Sequence, residues 1–101
     1  MDKLEQAFVA EMAKKTEQAR AVGVDGGRTL AALEKQGPAR LLGQQARRGC
    51  VSAEFETLAA AGRLDLSLEA AAVQGRYGAL FDDDTVNFCL QVLCEKGYFA
   101  L

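Results

Sequence analysis

Apolar residues recur at helical spacing along the first twenty positions. Leu4, Phe8, Met12 and Ala19 form one stripe with Val9 and Thr16 on its flank, which predicts an amphipathic helix over residues 2–21. Lys15 falls inside the stripe, so its stem is expected to lie along apolar surface with the ammonium reaching water. Gly23, Asp25, Gly26 and Gly27 then break the periodicity as a turn. A short second helix is predicted over 28–36, with Leu30 and Leu33 inward. Gly37 reads as its left-handed terminator. Pro38 suits the first turn of a third helix over 38–48, which carries Leu41, Leu42 and Ala46 on one side and ends at Gly49.

The second half of the chain is punctuated more often. Ser52 is the expected N-cap of a helix over 53–61, with Phe55, Leu58 and Ala59 inward and Gly62 after its last turn. Leu64, Leu66 and Leu68 alternate like a strand, yet Ser67 followed by Leu-Glu-Ala-Ala-Ala-Val reads as a capped helix start. Residues 63–66 are therefore expected to form a tight, buried connector, followed by a helix over 68–74 that Gly75 closes. In the segment Gly62-Arg63-Leu64-Asp65-Leu66-Ser67, Asp65 has a structural role: it either pairs with Arg63 or accepts backbone N–H groups around 67–68. Residues 76–81 are irregular, anchored by Tyr77, Leu80 and Phe81.

The last helix, over 83–96, has an unusual pattern. At 100° per residue its apolar positions sweep roughly 240°, more than twice the minimum stripe of a surface helix. Phe88 and Val92 lie on the flank farthest from Val86 and Leu90. A bundle using the Val86 face would leave them near solvent beside Phe99 and Leu101 of the apolar tail, a patch expected to seek a symmetry mate. The competing expectation is that residues 2–21 pack over this flank and make the last helix the central post of the bundle.

Composition agrees with helices. Alanine fills 18 of the 101 positions, isoleucine and tryptophan are absent, and proline occurs once. The expected fold is all-α, a compact bundle of five to six helices forming a single domain over residues 1–101.

Charge and side-chain chemistry narrow the function classes. The net charge is −2, but it is uneven: residues 1–50 carry nine Lys/Arg against six Asp/Glu, residues 51–101 three against eight. The basic half and the helix–turn–helix spacing around Gly37 raise a nucleic-acid reading, which the acidic second half opposes. Histidine is absent, so imidazole is removed from every catalytic or metal-binding scheme. Cys50, Cys89 and Cys94 have no CxxC spacing and are expected to be small hydrophobes in a reducing cytoplasm, with no secretory leader. No apolar run is long enough to span a bilayer. The Gly23–Gly27 run lacks the strand and Gly-Lys-Ser/Thr ending of a phosphate loop. Asp82-Asp83-Asp84 reads as capping for the last helix rather than a cation loop. Catalysis would have to rest on Asp65, Glu69 or that acidic run, with no nucleophile placed beside a base. No catalytic, cofactor-binding or metal-binding residue is therefore predicted.

Residues 30–96 resemble a group of short helical bacterial proteins without assigned activity. The resemblance is carried by Gly37, Ala39, Leu42, Phe55 and Leu58, then Gly62-Arg63-Leu64-Asp65-Leu66-Ser67 with Glu69, and finally Tyr77, Leu80, Phe81 and Asp82. It implies a compact helical fold and no activity. The last helix departs from the group, whose members are rich there in Ala, Arg and Glu. The function expected from these observations is non-catalytic: a helical protein–protein interaction module that self-associates as a homodimer or binds another protein. The alternative is a nucleic-acid-binding regulator using residues 14–48.

Overall fold

A computed structural model describes residues 2–98. Among them are six α-helices, two 3₁₀ turns and no strand, so the fold is all-α. Helix α1 spans Lys3–Ala21. Asp2 caps it reciprocally, accepting the Glu5 N–H at 2.8 Å while the Glu5 carboxylate accepts the Asp2 N–H at 3.2 Å. Its buried face is Phe8, Met12, Thr16 and Ala19. Thr16 lies inside the stripe rather than on its flank, and its hydroxyl is satisfied by donating to the Met12 carbonyl at 2.7 Å.

Helices α2 (Gly27–Gln36) and α3 (Pro38–Arg48) are joined by Gly37 alone. Gly37 sits at φ +87°, a conformation that L side chains rarely adopt, so a single residue can end one helix and start the next. Helix α4 (Phe55–Ala60) begins later than the sequence predicts, because Ser52 is not its cap. That hydroxyl is drawn to Glu69 instead. The segment Leu64–Leu66 is a 3₁₀ turn, and α5 follows over Leu68–Ala72. Ser67 caps α5 as predicted: its oxygen accepts the Ala70 N–H at 3.1 Å and its hydroxyl donates to the Leu64 carbonyl at 2.7 Å. Where irregular chain is expected, a second 3₁₀ turn runs Gly75–Leu80. Helix α6 spans Asp83–Glu95, with Asp82 accepting the Thr85 N–H at 2.8 Å.

The centre of the molecule is α5, not α6. All five residues of α5 are buried. Leu68, Ala71 and Ala72 join Phe8, Met12, Leu33, Leu41, Leu42, Tyr77, Phe81 and Cys89 in the main core, while Ala70 joins Phe55, Leu64 and Leu93 in a second cluster. Short side chains let α1, α6 and the 64–66 turn all pack on one helix. Phe8 is the hub on the α1 side, meeting the Tyr77 ring edge-on at 5.0 Å and the Phe81 ring at 5.5 Å.

Helix α6 lies against α3 and α5. It buries Thr85, Cys89 and Leu93, with Phe88 packed on the main core and Val92 on the second cluster. The expectation that Phe88 and Val92 face solvent is thus corrected. The buried seam is centred on Cys89, so these two flank the core side, and Leu90, expected inward, is the residue left exposed.

Replacing Ser67 by Ala removes both bonds at the entry to the central helix. We expect Ser67→Ala to lose about 1 kcal/mol in urea denaturation. An unchanged midpoint would contradict this role.

Candidate functional site

Polar chemistry inside this fold is concentrated where α5 meets the loop between α3 and α4. Glu69, on α5, is fully buried at 0% exposure. Its carboxylate accepts the Ser52 backbone N–H at 2.6 Å and the Ser52 hydroxyl at 2.8 Å. Two residues further on, the Glu54 carboxylate accepts the Thr29 hydroxyl of α2 at 2.7 and 2.8 Å. Ser52, Glu54, Thr29, Thr16, Gly26 and Ser67 line the polar part of a cavity of about 20 Å³, closed otherwise by apolar side chains that include Met12 and Leu58. Burial pushes the Glu69 carboxyl up, the two Ser52 bonds pull against that, and the charge of Glu54 adds to the rise. The site can hold a carboxyl group in a dry, hydroxyl-rich setting. Each serine and threonine hydroxyl here donates inside the protein, those of Thr16 and Ser67 to backbone carbonyls and those of Thr29 and Ser52 to carboxylates.

A second polar junction ties α1 to the 75–80 turn. Glu11 accepts from Gln74 Nε2 at 2.5 Å and from the Tyr77 hydroxyl at 2.9 Å, pairs with Lys15 at 3.4 Å, and is bonded by Arg76. Arg76 also lies over the Tyr77 ring at 5.0 Å. Lys15 continues to the Asp65 carbonyl at 2.8 Å, so it reaches a partner rather than open water. Burial alone raises the Glu11 carboxyl, but the bonds from Gln74 and Tyr77 and the charges of Lys15 and Arg76 outweigh it and hold it below the ordinary range.

The predicted structural motif is assembled around the 64–66 turn. Gly62 sits at φ +72° after α4, a left-handed position suited to glycine. Arg63 grips Asp65 with both ends of its guanidinium, at 3.1 and 3.2 Å. That bond, ahead of burial, holds the Asp65 carboxyl below its usual value. Of the two roles offered for Asp65, pairing with Arg63 is the one found, and Ser67 supplies the helix cap.

Among the described residues, two of the three large exposed apolar side chains lie at the C-terminal end: Leu90 at 37% and Tyr98 at 38% exposure, the third being Val22. Cys94 is exposed on the same stretch, as is Cys50 on the α3–α4 loop, so only Cys89 behaves as the buried hydrophobe expected of all three cysteines. Phe99 and Leu101 lie outside the described residues. On the opposite half, Lys35, Gln36, Arg40 and Gln44 line a shallow groove of about 410 Å³. Arg47 faces a separate groove that it shares with Asp82 and Asp84. Among the described residues no three His, Cys, Asp or Glu converge as metal ligands, and no helix is long and apolar enough to cross a membrane.

Sequence reasoning placed Ser67 and Asp65 well but missed the Ser52–Glu69 clasp and the Glu11 junction. One signal for the clasp was available: Glu69 is the lone acid in an otherwise apolar run from Leu68 to Val73. No protein-family model, characterised protein or solved structure matches the chain significantly.

Glu11 sets a pH dependence with a definite sign. Its carboxyl is held below the ordinary value of 4.5 in the folded state, so its contribution is present above that value and is lost as pH falls through the lowered one. Wild type should therefore lose stability toward Glu11→Gln as acid is added, which urea midpoints measured at about pH 6 and about pH 3 would reveal. A gap between the two proteins that stays constant would contradict it.

Proposed function

We propose that this chain is a non-catalytic interaction module that self-associates through the outer face of α6. The observation that carries this reading is the line Val86, Leu90 and Cys94, spaced four apart on α6, with Tyr98 exposed just beyond the end of the helix. Val86 is half-buried at one end, and Leu90 and Cys94 are exposed. Adjacent apolar groups on a helix face gain by leaving water together, and a two-fold pairing of identical faces is the simplest closed arrangement. The surface is the flank opposite Phe88 and Val92, which support the core instead. A partner protein presenting a similar helix face would be held the same way. Three free thiols, two of them exposed, suit a reducing cytoplasm.

Binding of nucleic acid through residues 14–48 is the second reading, supported by the Lys35–Arg40 groove. It is opposed by Asp82 and Asp84, which flank Arg47 and would meet a phosphate backbone there.

Sedimentation equilibrium under reducing conditions, at tens of micromolar protein, tests the first reading. We expect a dimeric wild type, and a monomer from Leu90→Glu that keeps the wild-type helical spectrum. A monomeric wild type would refute self-association. A gel shift at low salt that weakens steeply as salt is added would favour the second reading.

A further inference from the structure

Gly26 is a glycine that the backbone does not require. Its φ of −98° and ψ of 14° form a turn open to L side chains, unlike the positive φ of Gly37 or Gly62. Crowding does not require it either. A Cβ built there would meet Thr16 Cγ2 at 3.6 Å, and Glu54 Oε1 and Thr16 Oγ1 each at 3.8 Å, all ordinary contacts. Gly26 also leads α2, where a serine or aspartate would cap the helix, yet it has no side chain to do so. What glycine provides here is room beside two oxygens.

That room belongs to the cavity of about 20 Å³ where α1, α2 and the α3–α4 loop meet. Every residue lining it is buried except Thr29 and Glu54, which are half-buried, bonded to each other and form its mouth. Glu69 does not line it and stays dry behind Ser52. The hydroxyls around the cavity have their protons directed elsewhere: Thr16 and Ser67 donate to carbonyls, Ser52 to Glu69 and Thr29 to Glu54. What they can still offer an occupant is a lone pair, so the occupant must be a donor. We propose that one ordered water fills this cavity, donating to Thr16 Oγ1 and Glu54 Oε1 and so joining α1 to the α3–α4 loop beside the start of α2.

Size, chemistry and position agree on water. A volume of about 20 Å³ is room for one molecule, and a buried water needs two to four polar partners, which this wall supplies. The place of the absent Gly26 Cβ is equally far from the two oxygens, so a water just beyond it can donate to both. A hard cation of similar size takes about six or more oxygens, whereas Met12, Ala19, Leu58, Leu66 and Leu68 make the rest of this wall apolar. The glycine thus holds the place open, and even a methyl group at position 26 would occupy it.

The test is oxygen-17 relaxation dispersion on the full chain, which counts waters held longer than the molecule takes to tumble and is blind to exchanging hydroxyl protons. Wild type should hold such a water. Gly26→Ala should lose one by filling the space, and Thr16→Val should lose it by removing an acceptor at almost unchanged volume. Gly75→Ala is the control, since a Cβ there meets nothing within 4 Å, and it should keep the wild-type count. No long-lived water in wild type, or an unchanged count in Gly26→Ala, would overturn the proposal. So would a wild-type count that falls when sodium chloride is added, because the site would then take a cation. If Gly26→Ala fails to fold, Thr16→Val and the wild-type count decide: an unchanged count in Thr16→Val would overturn the assignment.

Discussion

Burying all five residues of α5 is the constraint on which the rest of this structure depends. A helix with no face toward water must be built from small and apolar side chains, and Leu68, Ala70, Ala71 and Ala72 meet that demand. The alanines let neighbouring elements approach closely, so α1, α6 and the 64–66 turn can all pack on it. The same burial leaves Glu69 without solvent, and its carboxylate must find donors within the protein. Ser52 supplies two. That fixes the path of the α3–α4 loop, which in turn carries Glu54 to Thr29 on α2. One buried acid thus links the second half of the chain to the first.

The remaining ties follow the same logic of joining halves. Glu11 collects Gln74, Arg76 and Tyr77 across more than sixty residues of sequence, and Lys15 reaches the carbonyl of Asp65. The two acids carry opposite pH signatures. Glu11, amid donors and cations, is stabilised when ionised; Glu69, buried beside another carboxylate, is favoured when neutral. With the interior assigned in this way, the outer face of α6 is left carrying Leu90 and Cys94, and the outer faces of α2 and α3 carry Arg28, Lys35, Arg40, Arg47 and Arg48.

The helical class was legible because it rests on local physics: Gly37, Pro38, Ser67 and Gly49 act on their immediate neighbours, and α3 runs over the same residues that the pattern predicts. The width of the apolar arc on α6 was legible too. Which side of that arc meets the core was not, since it depends on where α3 and α5 sit. Ser52 shows the limit most clearly. A serine before a helix reads as a cap, but a buried carboxylate 17 residues later is the stronger claimant for its hydroxyl and N–H. The centrality of α5 was hidden by its length, for five residues are too few to display a helical period.

Native-state hydrogen exchange, followed amide by amide through rising urea, tests most directly whether α5 is the centre of this fold. If it is, the Ala71 and Ala72 amides exchange only through global unfolding and rank with the slowest in the chain, while those near the ends of α1 and α6 open earlier. If α5 amides exchange through a smaller opening while α1 and α6 stay protected, the helix is a peripheral insert and does not organise the fold.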